Sequence, residues 1–303
     1  VSIAISAVAA ILAGLCLAAG GVLQQRSASR RPSDERMSLT LMRRLVTDRT
    51  WLLGIGAAVL SYGFQAVALT FGPLVLVQPL VVSELLFAVP VSVRLRNLRL
   101  RRRDWVAVGS VVAGLAVGIV AADPHPGNRI QPITTWAPAL GGVVVLVGAA
   151  VVVAKRLEGP PKASAFALGG ACAMGFQSAL YAATLAYLRK DLWGVFLHWE
   201  TYLLIVASLV GMFLIQNAFQ SGPLAASTPL IDSVLPLVAI ALGVGIFGES
   251  IRTSWWGLGG AALGLALLVL GIVALDTSPV VRKEQRLEQE EQQRTAEREA
   301  DSA

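Results

Sequence analysis

Nine stretches of this chain are each apolar over roughly the 20 residues an α-helix needs to cross ~30 Å of hydrocarbon. They run 3–25, 51–71, 73–93, 105–122, 136–154, 164–187, 202–220, 223–247 and 254–275. A segment in lipid must satisfy its own backbone N–H and C=O groups, which a helix does. Of the 303 residues, 55% are hydrophobic and 15% charged, where a soluble domain carries roughly a quarter charged. The expected fold class is all-α, a polytopic helical membrane bundle of about nine transmembrane helices. The first stretch has no basic residue ahead of its core and is too long for a signal-peptide core, so it reads as a retained helix. Bulky Leu15 before Cys16 argues against lipid attachment there. Cys16 and Cys172 read as small apolar packing residues in different helices.

The chain also repeats itself. Gly72, Pro73, Leu74, Pro79, Leu80 and Ser83 recur 150 residues later as Gly222, Pro223, Leu224, Pro229, Leu230 and Ser233. The same offset carries Trp105 to Trp255, Gly109 to Gly259 and Gly114 to Gly264. Spans one to four (1–122) then pair with spans six to nine (163–275), and 123–162 holds a connecting fifth helix. One odd helix between two units reverses the second, which makes an inverted repeat of the kind found in secondary transporters. Proline suits the first turn of a helix, so each Gly-Pro should form a tight hairpin. Pro79 and Pro229 lie further in, where a proline removes a hydrogen bond and kinks the helix. Such breaks are tolerated where they are buried or line a wet cavity. The two matched kinks therefore either line a substrate path or bend helices for packing.

Charge sets the expected orientation. Residues 26–49 hold seven Arg and 94–103 hold six. Residues 155–162 add Lys155, Arg156 and Lys162, and the tail 276–303 adds five basic residues against eight acids. The opposite loops hold only Arg129, Arg189, Lys190 and Arg252. Twenty-one against four places the basic side in the cytoplasm, with the N-terminus outside and the C-terminus inside a plasma membrane. The net charge of +6 is then a topology signal, and nucleic acid is not an expected partner. All seven Trp lie at or just beyond span edges, as an interfacial belt would. The tail reads as solvated or disordered, and 26–49 as a cytoplasmic loop with a short interfacial helix near Leu39 to Leu45.

Polar side chains inside hydrocarbon are costly, roughly 2.5–3.5 kcal/mol for a mid-span charge on insertion scales, and so mark candidate sites. Gln65 lies on span two, with Gln78, Ser83 and Glu84 on span three. Gln177 and Tyr181 lie on span six, Gln216, Asn217 and Gln220 on span seven, and Thr228, Asp232 and Ser233 on span eight. Glu84 and Asp232 are the acids near mid-span, with no Lys or Arg nearby in sequence. At roughly 100° per residue, Asp232 falls in the polar sector between Thr228 and Ser233, and Glu84 falls outside it. Asp232 is therefore the expected central group. It either binds a proton or a hard cation, or is satisfied by Thr228, Ser233 or an amide and only locks helices together. The amides either bind solute or join helices. Arg26, beside Gln24 and Gln25, is expected to snorkel. Glycine stripes in spans four and nine allow close packing within the fold, or a homodimer.

The Gly-Pro-Leu hairpin, the kinked helix after it, and Phe247, Gly248 and Glu249 ahead of a Gly-rich last span resemble the drug/metabolite transporter (EamA-like) superfamily. Gly20, Gly21, Gln24, Gln25 and Arg26, together with the stretch from Ala68 to Leu80, are similar to its NIPA-like magnesium transporter branch. The resemblance implies an inverted-repeat fold of nine or ten helices carrying small metabolites, drugs or ions. Glu249 matches a Glu common in that superfamily and, beside Arg252, is expected to form a structural ion pair.

The expected function is secondary transport of a small solute by alternating access, proton- or cation-coupled. The site would lie between spans two, three, seven and eight, with Asp232, Glu84, Gln65, Gln78, Ser83, Asn217 and Thr228 lining it and Pro79 and Pro229 as the breaks. The alternatives are a Mg²⁺ pathway using Asp232 and Glu84, and a non-transporting scaffold. No P-loop, HExxH or GxSG is present, so neither an enzyme nor a cofactor is expected. The expected partners are the solute or ion and the lipid bilayer.

Overall fold

The computed structural model describes residues 2–28, 48–95, 100–222, 224–279 and 283, of which 24–28, 92–95, 224 and 225 are described by backbone alone. The side chain of Arg26, the segment from Leu39 to Leu45 expected as an interfacial helix, and most of the tail lie outside the described residues. Among the described residues nine helices are long and apolar enough to cross a membrane. They are α1 (Ser2–Ala28), α2 (Arg49–Phe71), the pair α3 (Leu74–Val81) and α4 (Glu84–Leu95), α5 (Arg102–Ala122), α6 (Ile133–Ala154), α7 (Gly159–Lys190), α8 (Trp199–Ser221), α9 (Leu224–Gly245) and α10 (Trp255–Asp276). Large apolar side chains such as Leu53, Val106, Leu209, Phe213 and Leu263 stand exposed on them, as a bilayer solvent requires.

Helix pairings follow the repeat. In the first half α1 packs on α2 and on α3 and α4; in the second, α7 packs on α8 and α9. Between halves, α3 meets its counterpart α9, and α5 meets its counterpart α10. Along α5, Val111, Gly114 and Ala121 lie against Gly271, Leu268 and Gly260 of α10. Numbers rise on one helix as they fall on the other, so the pair is antiparallel. A two-fold axis relating two antiparallel helices runs across them, which is the geometry of an inverted repeat. The end contacts also correspond. A Cβ on Gly72 would strike the Ser6 side chain near the start of α1, and one on Gly222 would come within 3.0 Å of Ala163 Cβ near the start of α7. Gly72 and Gly222 thus each rest on the first helix of their own half; Pro223 lies outside the described residues.

The two kinked helices differ. The third span is broken between α3 and α4, where Ser83, Leu85 and Leu86 N–H groups bond three residues back to Leu80, Val82 and Ser83. The third helix of the second half, α9, runs unbroken through Pro229 and Pro236. Gly14 of α1 brings bare backbone onto the break, with a would-be Cβ 2.9 Å from the Val81 carbonyl and 3.0 Å from Glu84 N.

Packing is also uneven between the two ends of the bundle. A single apolar cluster joins α1, α2, α3, α6, α7, α8 and α9 at the end holding the Gly72 turn, with Leu69, Leu74, Phe176, Leu180 and Phe247 in it. Towards the other end the core separates. Ala167, Ala218 and Ile231 form one small cluster, and Val89, Ala107 and Leu275 another. Trp136 departs from the expected interfacial belt. It is fully buried in the main cluster, edge-on to Phe176, Trp199 and Phe247. The other described Trp that are most exposed, Trp105, Trp193, Trp255 and Trp256, do sit at the rim.

Candidate functional site

Glu84 directly follows the break in the third span. Glu84 begins α4 and lies within electrostatic reach of Asp232 in the middle of α9. This corrects the helical-wheel expectation, which ran one unbroken register through Val82 and Ser83. The break resets it. Tyr62 of α2 is within reach of Glu84, and Tyr181 of α7 stands edge-on to Tyr62 and donates from its hydroxyl to the Tyr62 carbonyl at 2.9 Å. Acids and phenols from α2, α4, α7 and α9 therefore converge.

Around them several buried polar atoms have no hydrogen-bond partner among the described residues. Ser83 Oγ, Ser233 Oγ and Gln78 Nε2 are three of these. Ser83 and Ser233 are repeat counterparts, so the same orphaned hydroxyl occurs in both halves. Buried polar groups in native proteins are nearly always paired, and a solute or water would find ready partners here. Thr228 is half-buried one turn before Asp232 on α9, and Gln65 is half-buried on α2. Pro79 lines an apolar cleft of about 280 Å³ between α3, α5, α9 and α10; Pro229 is buried within α9. Asn217 lies apart from this centre. Its amide donates to the Phe213 carbonyl at 2.7 Å, and it lines a polar pocket with Lys155, Glu158, Lys162 and Gln220.

Sequence reasoning missed a third acid. Asp276 ends α10, is buried, and leaves Oδ2 without a partner among the described residues. It lies within electrostatic reach of Asp232. Its neighbour Ser278 donates to Asp104 at 2.6 Å across to the start of α5, so the bundle extends into residues 276–278, past the expected boundary at 275. A buried acid at the last position of an apolar span was the available signal. Glu200 was missed likewise: fully buried in the first turn of α8, it accepts from the Tyr187 hydroxyl at 3.0 Å. Among the described residues no three His, Cys, Asp or Glu side chains are grouped as a metal site.

The second feature is at the packed end. Glu249 does not pair with Arg252. Its carboxylate accepts from Leu74 N at 2.6 Å and Val75 N at 2.8 Å, capping the start of α3, where unpaired N–H groups and the helix dipole favour an anion. Arg252 pairs with Asp123 at 2.7 Å instead. On the other side of the same turn Arg129 donates to the Leu69 and Gly72 carbonyls at the end of α2, where the dipole favours a cation. Burial pushes the Arg129 guanidinium below its usual pKa, with Glu249 opposing and Arg189 adding to the drop. The loops carrying these side chains are tied together, His125 and Ser250 exchanging N–H···O=C bonds of 2.9 and 3.2 Å.

The chain is 34% identical over 265 residues to the uncharacterized protein Cgl0250/cg0304 of Corynebacterium glutamicum, covering 86% of this chain and 90% of that one. It belongs to that protein's family. No model of a known protein family matches the chain, and no solved structure does. The alignment spans nearly the whole relative, so the family is defined at the level of the entire bundle.

Proposed function

We propose that this protein is a secondary transporter of a small solute, working by alternating access and coupled to protons or a cation. One observation carries the reading: Glu84 and Asp232, on the two repeat-related spans, lie within electrostatic reach of each other, and Ser83 and Ser233 next to them have hydroxyls without a partner among the described residues. Ionisable groups inside a membrane are expensive and mark ion or proton paths. Inverted repeats place such sites between their halves. The single core at one end and the divided core at the other suit a state closed at the Gly72 turn and looser at the far side. By the distribution of basic residues the closed end faces outward from a plasma membrane, with the C-terminus in the cytoplasm. The resemblance to the drug/metabolite transporter superfamily supports the same reading, and the bilayer and a small solute or ion are the partners.

A Mg²⁺ pathway is the second reading, favoured by two carboxylates within electrostatic reach of each other. Mg²⁺ is commonly held by one or two carboxylates while keeping several waters.

The test is flux in liposomes containing the full chain. One arm follows Mg²⁺ entry with a trapped indicator; the other follows proton movement when candidate solutes are added outside. Solute-dependent proton movement that Asp232→Asn abolishes supports coupled transport, and Mg²⁺ entry that the same variant abolishes supports the second reading. Flux of either kind that Asp232→Asn leaves unchanged removes Asp232 from the path.

A further inference from the structure

A pocket of about 200 Å³ opens beside the first Gly-Pro turn, lined by Thr70, Gly72, Gly127, Arg129 and Arg189 among others. Its positive charge exceeds what its contacts use. Arg129 commits both terminal nitrogens to the Leu69 and Gly72 carbonyls. Arg189, exposed at the end of α7, makes one long contact of 3.5 Å to the Thr70 carbonyl. The two guanidinium groups are close enough to repel. The nearby acid, Glu249, spends both oxygens on the Leu74 and Val75 N–H groups. Among the described residues the only ion pair is Arg252 with Asp123, so neither pocket arginine has a carboxylate at salt-bridge distance.

The negative end of α2 accounts for one cation there. The end of α7 favours the second, Arg189, in the same way, yet it brings Arg189 beside Arg129 against like-charge repulsion and leaves most of its donors unused. A guanidinium presents a planar fork of N–H donors that matches a carboxylate or phosphate, and Arg189 has most of its fork free. We propose that this pocket is an oxyanion site, which takes a carboxylate or phosphate group with Arg189 as its main ligand and Arg129 as its inner wall. Arg189 belongs to the second half, while Arg129 is fixed to a turn of the first. A bound anion therefore bridges the two halves at the packed end.

The test reads binding, so it stands apart from any flux result. The full chain in a neutral, lipid-free detergent is unfolded thermally while inorganic phosphate replaces chloride at constant ionic strength. A second arm uses phosphatidylcholine nanodiscs with and without phosphatidylglycerol and no free phosphate. The unfolding temperature should rise with phosphate and saturate. Losing a charge-assisted contact should weaken the apparent affinity about tenfold or more in Arg189→Gln, and Arg189→Lys should recover part of it. A rise seen only with phosphatidylglycerol, and lost in Arg189→Gln, assigns the same site to a lipid headgroup phosphate. Identical behaviour of the natural chain and Arg189→Gln in both arms overturns the proposal. Arg189 is exposed, and the unfolding temperature of the variant without phosphate verifies that it folds.

Discussion

The carbonyl oxygen of Gly114 lies 2.7 Å from where a Cβ would sit on Gly264, and the Gly264 carbonyl lies 2.7 Å from where one would sit on Gly114. The two residues are counterparts in the 150-residue repeat, so the contact is reciprocal, as at a two-fold axis. Nothing larger than hydrogen fits at either position. The duplicated glycine is explained by the closeness of the two backbones, and the antiparallel run of the helices makes the repeat an inverted one.

Gly114→Ala and Gly264→Ala should each push α5 and α10 apart. Overpacking of this kind costs typically 1–3 kcal/mol, read as a lower unfolding temperature in detergent. Gly118→Ala is the control, because its Cβ would meet nothing closer than 3.6 Å. Equal stability of all three variants would contradict the crossing described here.

Glu249→Ala should leave two buried N–H groups at the start of α3 without acceptors, at about 1–3 kcal/mol each. Arg252→Ala breaks only a half-exposed pair with Asp123 and should cost about 1 kcal/mol or less. Unfolding of both variants under one condition ranks them. If Arg252→Ala proves the more damaging, the cap on α3 is not what holds this end.

Burial holds the Glu249 carboxyl above its usual pKa, outweighing the two backbone N–H bonds and Arg129, which pull it down. An acid raised in this way takes up its proton in the folded state at a pH where the unfolded chain has already lost it. Its contribution to stability is therefore present below the ordinary carboxylate range, falls as pH rises through the raised value, and is level beyond. Glu249→Gln cannot titrate. The stability difference between the natural chain and Glu249→Gln should slope down across that window, measured by unfolding both through a pH series. A flat difference would mean that Glu249 titrates like a solvated carboxyl.

If Glu84 and Asp232 serve one coupling ion, neutralising either should stop coupled uptake in liposomes, and Glu84→Gln with Asp232→Asn together should do little further harm. Residues acting as a unit are strongly non-additive in this way. Coupled uptake surviving in Glu84→Gln would assign the ion to Asp232 alone.

The bundle was legible in the sequence because its signals are local. Runs of bilayer length and a fixed 150-residue offset survive without knowledge of any contact. What failed depended on partners distant in the chain. Glu249 was matched to Arg252, three residues away, whereas its N–H donors at Leu74 and Val75 lie in the other half. Glu84 was turned outward because a helical wheel assumes an unbroken helix, and the bare backbone of Gly14 at the break has no sequence signature. Trp136 looked interfacial from its place at a span edge, but the loop holding Phe247 and the rings of Phe176 and Trp199 cover it.

The contact of Gly14 with the break between α3 and α4 also has a bearing on how the protein is made. The first helix enters the membrane before the residues it will cover have been synthesised. When Val81, Val82 and Ser83 arrive, their irregular backbone needs shelter from lipid at once, and α1 is the surface that supplies it. Helix α1, made before the third span, should therefore cover that span's break as it inserts. A bulky side chain at Gly14 should show its effect first as failed membrane insertion of that later segment.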